Sequence, residues 1–210
     1  MNLRHVLVTG LFLFLFAVAG AALVALTHDN TADRIHENEK AALLRNLHII
    51  IPPERHDNDI FHDTIELDVP ELSQDEPVVV YRARKGGWPV AAVFTVVAPD
   101  GYNGKIKLLV GINLDGTVAG VRVVSHKETP GLGDAIEREK SDWIEVFRDK
   151  SIGNPPLDQW KVKRDGGNFD QLTGATITPR AVVKMVRQTL LYFLAHRDEV
   201  FAAEPDRQAE

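Results

Sequence analysis

The chain has 210 residues, 44% of them apolar and 26% charged, a globular composition that excludes disordered and collagen-like classes. Acidic side chains outnumber basic ones 30 to 24, a formal net charge of −6, which argues against a general electrostatic affinity for nucleic acid or anionic lipid. Cysteine is absent, which removes disulfide frameworks, thiolate zinc sites, cysteine-held iron–sulfur clusters, c-type haem attachment and cysteine nucleophiles together. Redox chemistry in such a chain needs a cofactor held by other means.

Val6 to Leu26 is a run of 21 residues without charge, in which Thr9 is the clearly polar member. As a helix it spans about 30 Å, the thickness of a bilayer core. Two readings stand: a retained anchor, and a cleaved signal peptide, whose apolar region is usually about 7–15 residues. The length, and the lack of a small-x-small cleavage site before Asp29, favour the anchor. Arg4 supplies the firm positive charge on the N-terminal side. It predicts a cytoplasmic tail at residues 1–5, an anchor at 6–26 and an exported body, and the signal-peptide reading exports the body as well.

Residues 27–76 read as a helix and a connector. Thr31 or Asp33 can cap a helix to Leu47, in which Ile35, Ala42, Leu43 and Leu47 recur at roughly helical spacing. Pro52-Pro53 stops it. Arg55 to Gln74 is polar, with at most a short strand. His56-Asp57-Asn58-Asp59-Ile60-Phe61-His62-Asp63 contains metal-capable atoms, yet neither an i,i+4 histidine pair nor a known spacing, so a polar connector is the reading and no metal is expected.

From Pro77 the texture turns to strands. Val78 to Tyr81 and Val90 to Val97 flank a hairpin at Lys85-Gly86-Gly87; Lys105 to Ile112 and Thr117 to Val124 flank Asp115-Gly116. Ile106, Leu108 and Val110 alternate with Lys105, Lys107 and Leu109, which predicts a wetter and a drier sheet face. Asp134 can cap a helix carrying Ile136, Trp143, Ile144 and Phe147, and Val162 sits in a short strand. The last helix begins at Thr178-Pro179, with Val183, Val186, Leu190, Phe193 and Leu194 as its buried stripe. The sum is an α+β chain: a transmembrane helix, then one domain of antiparallel sheet plus helices. Residues 198–210 read as a polar tail.

The segment from Gly166 to Pro179 is a glycine-containing turn, dense in hydroxyls, that leads into a helix N-terminus. Orphan N–H groups and the helix dipole make such a place suited to an anion, while Gly174 and Ala175 permit close approach of a bulky ligand. Three hydroxyls, Thr173, Thr176 and Thr178, can donate to phosphate or be esterified. Spacing alone favours an ordinary capping turn with Thr178 as its cap.

Asp170-x-x-Thr173-Gly174-Ala175-Thr176 resembles the flavinylation signature of the FMN-binding domain family, usually aspartate, two residues, serine or threonine, then Gly-Ala-Thr. A second element of that family is similar to Glu128-Thr129-Pro130-Gly131-Leu132-Gly133. The likeness covers about Tyr81 to Val186 and extends to the G subunits of Rnf (Rsx) membrane electron-transport complexes. The C subunits of sodium-translocating NADH:quinone reductases are similar but typically longer. Thr173 stands where serine is commoner and keeps the hydroxyl.

The resemblance implies an FMN-binding domain at residues 77–197, with FMN joined by a phosphoester to Thr176 and installed by a separate flavin transferase. It implies further that Glu128, Thr129 and Leu132 line the flavin pocket. It places the chain in the inner membrane with the C-terminal domain periplasmic. Its partners would be the other membrane and iron–sulfur or flavin subunits of an ion-translocating complex, without efficient turnover alone. An unactivated threonine is a poor nucleophile, and no dedicated base adjoins Thr176 in sequence, which fits outside installation. Gly131-Leu132-Gly133 mimics a dinucleotide fingerprint, but Ile136 replaces the third glycine and no parallel βαβ unit is visible, so NAD is rejected. Tyr102 reads equally as a ring-packing residue or a surface aromatic; Lys163 could place a charge near reduced flavin, although a lysine is usually just solvated. Trp143 and Trp160 read as packing residues. Reversible flavin binding and an unflavinylated assembly protein remain the rival readings.

Overall fold

The computed structural model describes residues 3–202. Residues 1, 2 and 203–210, which fall in the expected tails, lie outside the described residues, as do the side chains of Leu3, Asp29, Asn30, Asp33 and His36. The chain divides into two units, Met1–Leu43 and Leu44–Glu210.

The first unit is helical. Helix α1 runs Leu3–Ile50, and within it Arg4–His28 is long and apolar enough to cross a membrane, its side chains exposed throughout. No separate helix starts at Thr31. The Thr31 hydroxyl turns back to donate to the carbonyls of Thr27 (2.8 Å) and His28 (3.3 Å), the use a threonine makes of its oxygen inside a helix rather than at its start.

The second unit is built on five antiparallel strands in sequential order: β1 (Thr64–Leu67), β2 (Val78–Lys85), β3 (Trp88–Gly101), β4 (Gly104–Asn113) and β5 (Val118–Ser125). All four strands expected from β-branched runs and turn residues are present, and β1 comes from the connector. Helix α2 (Ile177–Ala202), kinked at His196, packs Val182, Val186, Leu190 and Phe193 on one sheet face, against Phe94, Val96, Leu108 and Val110. The Phe94 and Phe193 rings meet edge to face at 6.1 Å.

The expected wet face survives only at the start of β4. Lys105 is exposed and Lys107 half-buried, but Leu109 and Gly111 are buried. The cause is Ile50: a Cβ built on Gly111 would stand 2.1 Å from the Ile50 Cγ2, so a glycine is what lets that side chain lie on the sheet.

Between β5 and α2 the chain forms short 3₁₀ turns in place of the expected α-helix at Asp134. Two of them, Gly133–Ile136 and Asp142–Phe147, are divided by Ser141, whose hydroxyl donates to the Ala135 carbonyl (2.6 Å) and accepts from the Trp143 N–H (3.1 Å). These local side-chain bonds replace the i→i−4 ladder. Val162 makes a single parallel bridge with Phe169 rather than a strand. Trp160 and Phe169 are fully buried, their ring centroids 4.9 Å apart, with Phe147 5.1 Å from Phe169; Trp143 packs edge to face on Phe147. The two tryptophans therefore do pack, and they hold down the segment that precedes α2.

The far end of α2 is fixed electrostatically. Asp63 accepts from Arg82 Nε (2.7 Å) and Arg84 Nε (2.8 Å), and the two guanidiniums donate onward to the carbonyls of Val200 and Phe201, each at 3.1 Å. Cations there suit the negative end of the helix dipole. Asn58 joins the cluster, bonding Asp63 and the backbone of β2, so the polar connector serves as a strap on that strand. The Arg82 side chain is fully buried, so removal of the Asp63 carboxylate takes an ion pair and its charge-assisted hydrogen bond out of the interior. Asp63→Ala is expected to destabilise this unit by about 3 kcal/mol. Denaturant unfolding followed by tryptophan fluorescence reports it, since Trp88, Trp143 and Trp160 all lie in the second unit.

Candidate functional site

A cavity of about 470 Å³ opens where three segments of the second unit converge. The β3–β4 turn brings Tyr102; the segment after β5 brings Glu128, Thr129, Leu132 and Gly133; the start of α2 brings Gly174, Ala175, Thr176, Ile177 and Thr178. Arg164 enters from a 3₁₀ turn, Lys163–Asp165.

Glu128 ties these segments together. It is 5% exposed; its Oε1 accepts from the Asn103 N–H at 3.0 Å, and its Oε2 accepts a short bond from the Thr178 hydroxyl. The Asn103 amide reaches further, to the Thr129 hydroxyl at 3.1 Å. The Glu128 N–H donates to His126 Nδ1 (2.9 Å), which fixes the ring with its proton on Nε2, and that nitrogen donates to Glu137 (2.6 Å). Gly133 has to lack a side chain: a Cβ there would fall 2.9 Å from Glu128 Cβ and 3.0 Å from the Thr178 hydroxyl.

The signature loop is held as tightly. Trp143 Nε1 donates to the Asp170 carbonyl at 2.7 Å, and the Ala175 N–H closes a turn on the Leu172 carbonyl at 3.1 Å. Gly174 sits at φ +79°, and a Cβ would come 2.9 Å from Leu132. The close approach that this glycine permits is thus made by the other signature element.

The three threonines separate cleanly. Thr178 is fully buried inside the first turn of α2, one residue past its start at Ile177, and its hydroxyl serves Glu128 instead of capping the helix. Thr173 is exposed and off the cavity. Thr176 lines the cavity, half-buried, and its Oγ accepts from Arg164 Nη1 at 3.4 Å.

Of the residues singled out in the sequence, Tyr102, Glu128, Thr129, Leu132, Gly174, Ala175, Thr176 and Thr178 come together; Thr173 and Lys163 do not. The Lys163 ammonium turns away to Asp170, at 2.6 Å. Its neighbour Arg164 supplies the positive charge at the cavity. Sequence reasoning misses Arg164, Gly133 and Ile177. One residue's difference in direction along a 3₁₀ turn has no signature in sequence, although an arginine close to three hydroxyls is a usable hint. Next to it, the Arg180 guanidinium, bonded to Asp165 at 2.6 and 2.7 Å, holds that carboxyl below the usual range.

The comparisons with known proteins follow this division of the chain. Residues 101–191 match the model of the FMN-binding domain family, and residues 1–50 match that of the RnfG N-terminal region. A protein of Vibrio atlanticus, named as the G subunit of an ion-translocating oxidoreductase complex, is 47% identical over 196 residues, 93% of each chain. The chain belongs to this G-subunit family. The G subunits of Shewanella loihica (49% identical, 92% of each chain) and Vibrio cholerae (44%, 91% of each chain) are similar at comparable coverage. The FMN-binding match, residues 101–191, runs from the turn that carries Tyr102 to the middle of α2 and so contains every residue lining the cavity.

The residues suit a flavin mononucleotide. The volume lies in the range of small-cofactor sites, about 300–1,000 Å³. Tyr102, Leu132 and Ile177 offer apolar surface, Glu128 and Thr129 offer hydrogen-bonding groups, and Arg164 with Thr176 offers an anion-binding corner at a helix start. Loss of the central carboxylate leaves the buried Thr178 hydroxyl and the Asn103 N–H without an acceptor. Glu128→Ala is expected to lower stability by about 2 kcal/mol, with a smaller loss in Glu128→Gln, by denaturant unfolding of the full-length protein in detergent.

Proposed function

We propose that this chain is a membrane-anchored electron-relay protein that carries FMN on its second unit, joined through a phosphoester to Thr176. The observation that carries the proposal is the sorting of the hydroxyls: of Thr173, Thr176 and Thr178, Thr176 alone lines the cavity with its oxygen next to a guanidinium. The family's flavinylation pattern points to the same residue.

The chemistry of attachment supports an outside catalyst. Thr176 Oγ has to form a bond to phosphorus while phosphorus releases a leaving oxygen with its electron pair, and the hydroxyl proton has to pass to a base. Arg164, which bonds Thr176, is a donor and cannot take that proton. Glu128, the carboxylate that lines the cavity, is engaged with Thr178 and Asn103. A flavin transferase therefore supplies the base and the activated flavin. The ring itself supplies one- and two-electron redox chemistry; the protein contributes apolar walls, hydrogen-bonding groups and charge around it.

Arg4–His28 anchors the protein in the inner membrane, with the positively charged end in the cytoplasm and the second unit in the periplasm. The tether keeps the cofactor in place in a compartment from which a loose flavin would diffuse away. Electron entry and exit belong to the other subunits of the ion-translocating complex, so the isolated chain turns over no soluble substrate efficiently.

Co-expression with a flavin transferase and denaturing gel electrophoresis test this. Wild type and Thr173→Val are expected to retain flavin fluorescence on the band, and Thr176→Val to lose it at unchanged yield. A fluorescent Thr176→Val band would mean another hydroxyl is used. Native fluorescence that is lost on denaturation in every sample would mean reversible binding. A colourless wild type would leave an assembly role.

A further inference from the structure

We propose that Arg164 holds the flavin's phosphate: it pairs with the non-bridging oxygens next to Thr176 and makes the cavity select a phosphorylated flavin over riboflavin. The proposal rests on the Thr176 reading and adds to it a second residue with a separate role.

Charge balance around the Lys163–Asp165 turn singles this residue out. Four ionised groups there neutralise one another in pairs: Lys163 with Asp170 at 2.6 Å, and Arg180 with Asp165 at 2.6 and 2.7 Å. Arg164 lies between these pairs and, among the described residues, has no carboxylate within ion-pair distance. Its partner is a neutral hydroxyl, that of Thr176, at 3.4 Å. A guanidinium with no carboxylate at ion-pair distance thus faces the oxygen that would join a phosphodiester, and a phosphodiester carries one negative charge. The planar fork of an arginine suits two phosphate oxygens at once, whereas a lysine offers a point charge. The start of α2, a helix of 26 residues, adds its positive end on the same corner.

The position of the guanidinium is built into the backbone. The Lys163 N–H donates to the Phe169 carbonyl at 2.7 Å, and the Gly167 N–H to the Val162 carbonyl at 3.1 Å. The Arg164 N–H bonds the Gln171 side chain at 3.3 Å, which links the turn to the signature loop itself. Buried Val162 and Phe169 anchor both ends.

In the attachment step, Thr176 Oγ and phosphorus form a bond, and the bond between phosphorus and a bridging oxygen breaks. That oxygen departs on a nucleotide phosphate with the electron pair, and the hydroxyl proton goes to the transferase's base. The donor class that balances this exchange is a flavin linked through a pyrophosphate, and no redox change occurs. Arg164 holds the two oxygens that take part in neither bond.

The test uses full-length protein in detergent, with Thr176→Val produced without a transferase so that the cavity starts empty of tethered flavin. Affinities for FMN and for riboflavin are read by quenching of flavin fluorescence. We expect FMN to bind about tenfold tighter than riboflavin, the worth of a charge-assisted bond. Adding Arg164→Gln should abolish that preference while riboflavin affinity stays unchanged; Arg164→Lys should restore part of it, and salt should weaken it. A preference that survives Arg164→Gln overturns the proposal, as does a parallel fall in affinity for both flavins, which marks a merely structural residue. Failure of the parent reading looks different: wild type co-produced with the transferase carries no flavin on Thr176, whatever the affinities show. If neither flavin binds Thr176→Val, the cavity has no phosphate preference to show and the Arg164 proposal is overturned, while the Thr176 reading is decided by the transferase experiment alone.

Discussion

One buried carboxylate organises the site. Glu128 accepts from the β3–β4 turn through Asn103 and from the start of α2 through Thr178, while its own backbone is held by His126. Three segments distant in sequence are thereby drawn around one cavity. The carboxylate sits in low-dielectric surroundings, where a satisfied acceptor is strong and an unsatisfied donor is expensive, so the arrangement tolerates little drift. Gly133 and Gly174 are the steric counterpart: each leaves room for an atom of the opposing segment.

That constraint also determines which hydroxyl is free. Thr178 is drawn into the interior by Glu128, so the next cavity-facing oxygen along the chain is that of Thr176, presented at the helix start beside Arg164. The two signature elements thus have different duties. The Glu128–Gly133 element shapes the cavity and disciplines the helix end; the Asp170–Thr176 element presents the Thr176 oxygen at the cavity. The aromatic cluster of Phe147, Trp160 and Phe169 lies beneath the second element and gives it a rigid floor.

Much of this is legible in the sequence, and for local reasons. The strands β2 to β5 announce themselves by β-branched runs between turn residues, and the core stripe of α2 by its spacing. The helix expected at Asp134 does not form, because Ser141 satisfies backbone groups that a helix would need. A threonine before a periodic segment looks like a cap, which is why a separate helix is expected at Thr31; its hydroxyl turns inward along a longer helix instead. At the site, eight residues singled out by pattern line one cavity, while Arg164 takes the place expected of Lys163. Which of two neighbouring cations faces inward depends on the carboxylate each one meets, Asp170 in the case of Lys163, and such tertiary pairing leaves no mark on composition or period.

The proposed electron carriage rests on a covalent bond at one oxygen, and peptide mass spectrometry reads it directly. Cleavage after arginine releases Asp165–Arg180, a single peptide that holds Thr173, Thr176 and Thr178. From cells that contain a flavin transferase, this peptide should be heavier by FMN less one water, and fragmentation should place the added mass on Thr176. An unmodified Asp165–Arg180 peptide from such cells, or the added mass on Thr173 or Thr178, would contradict the account.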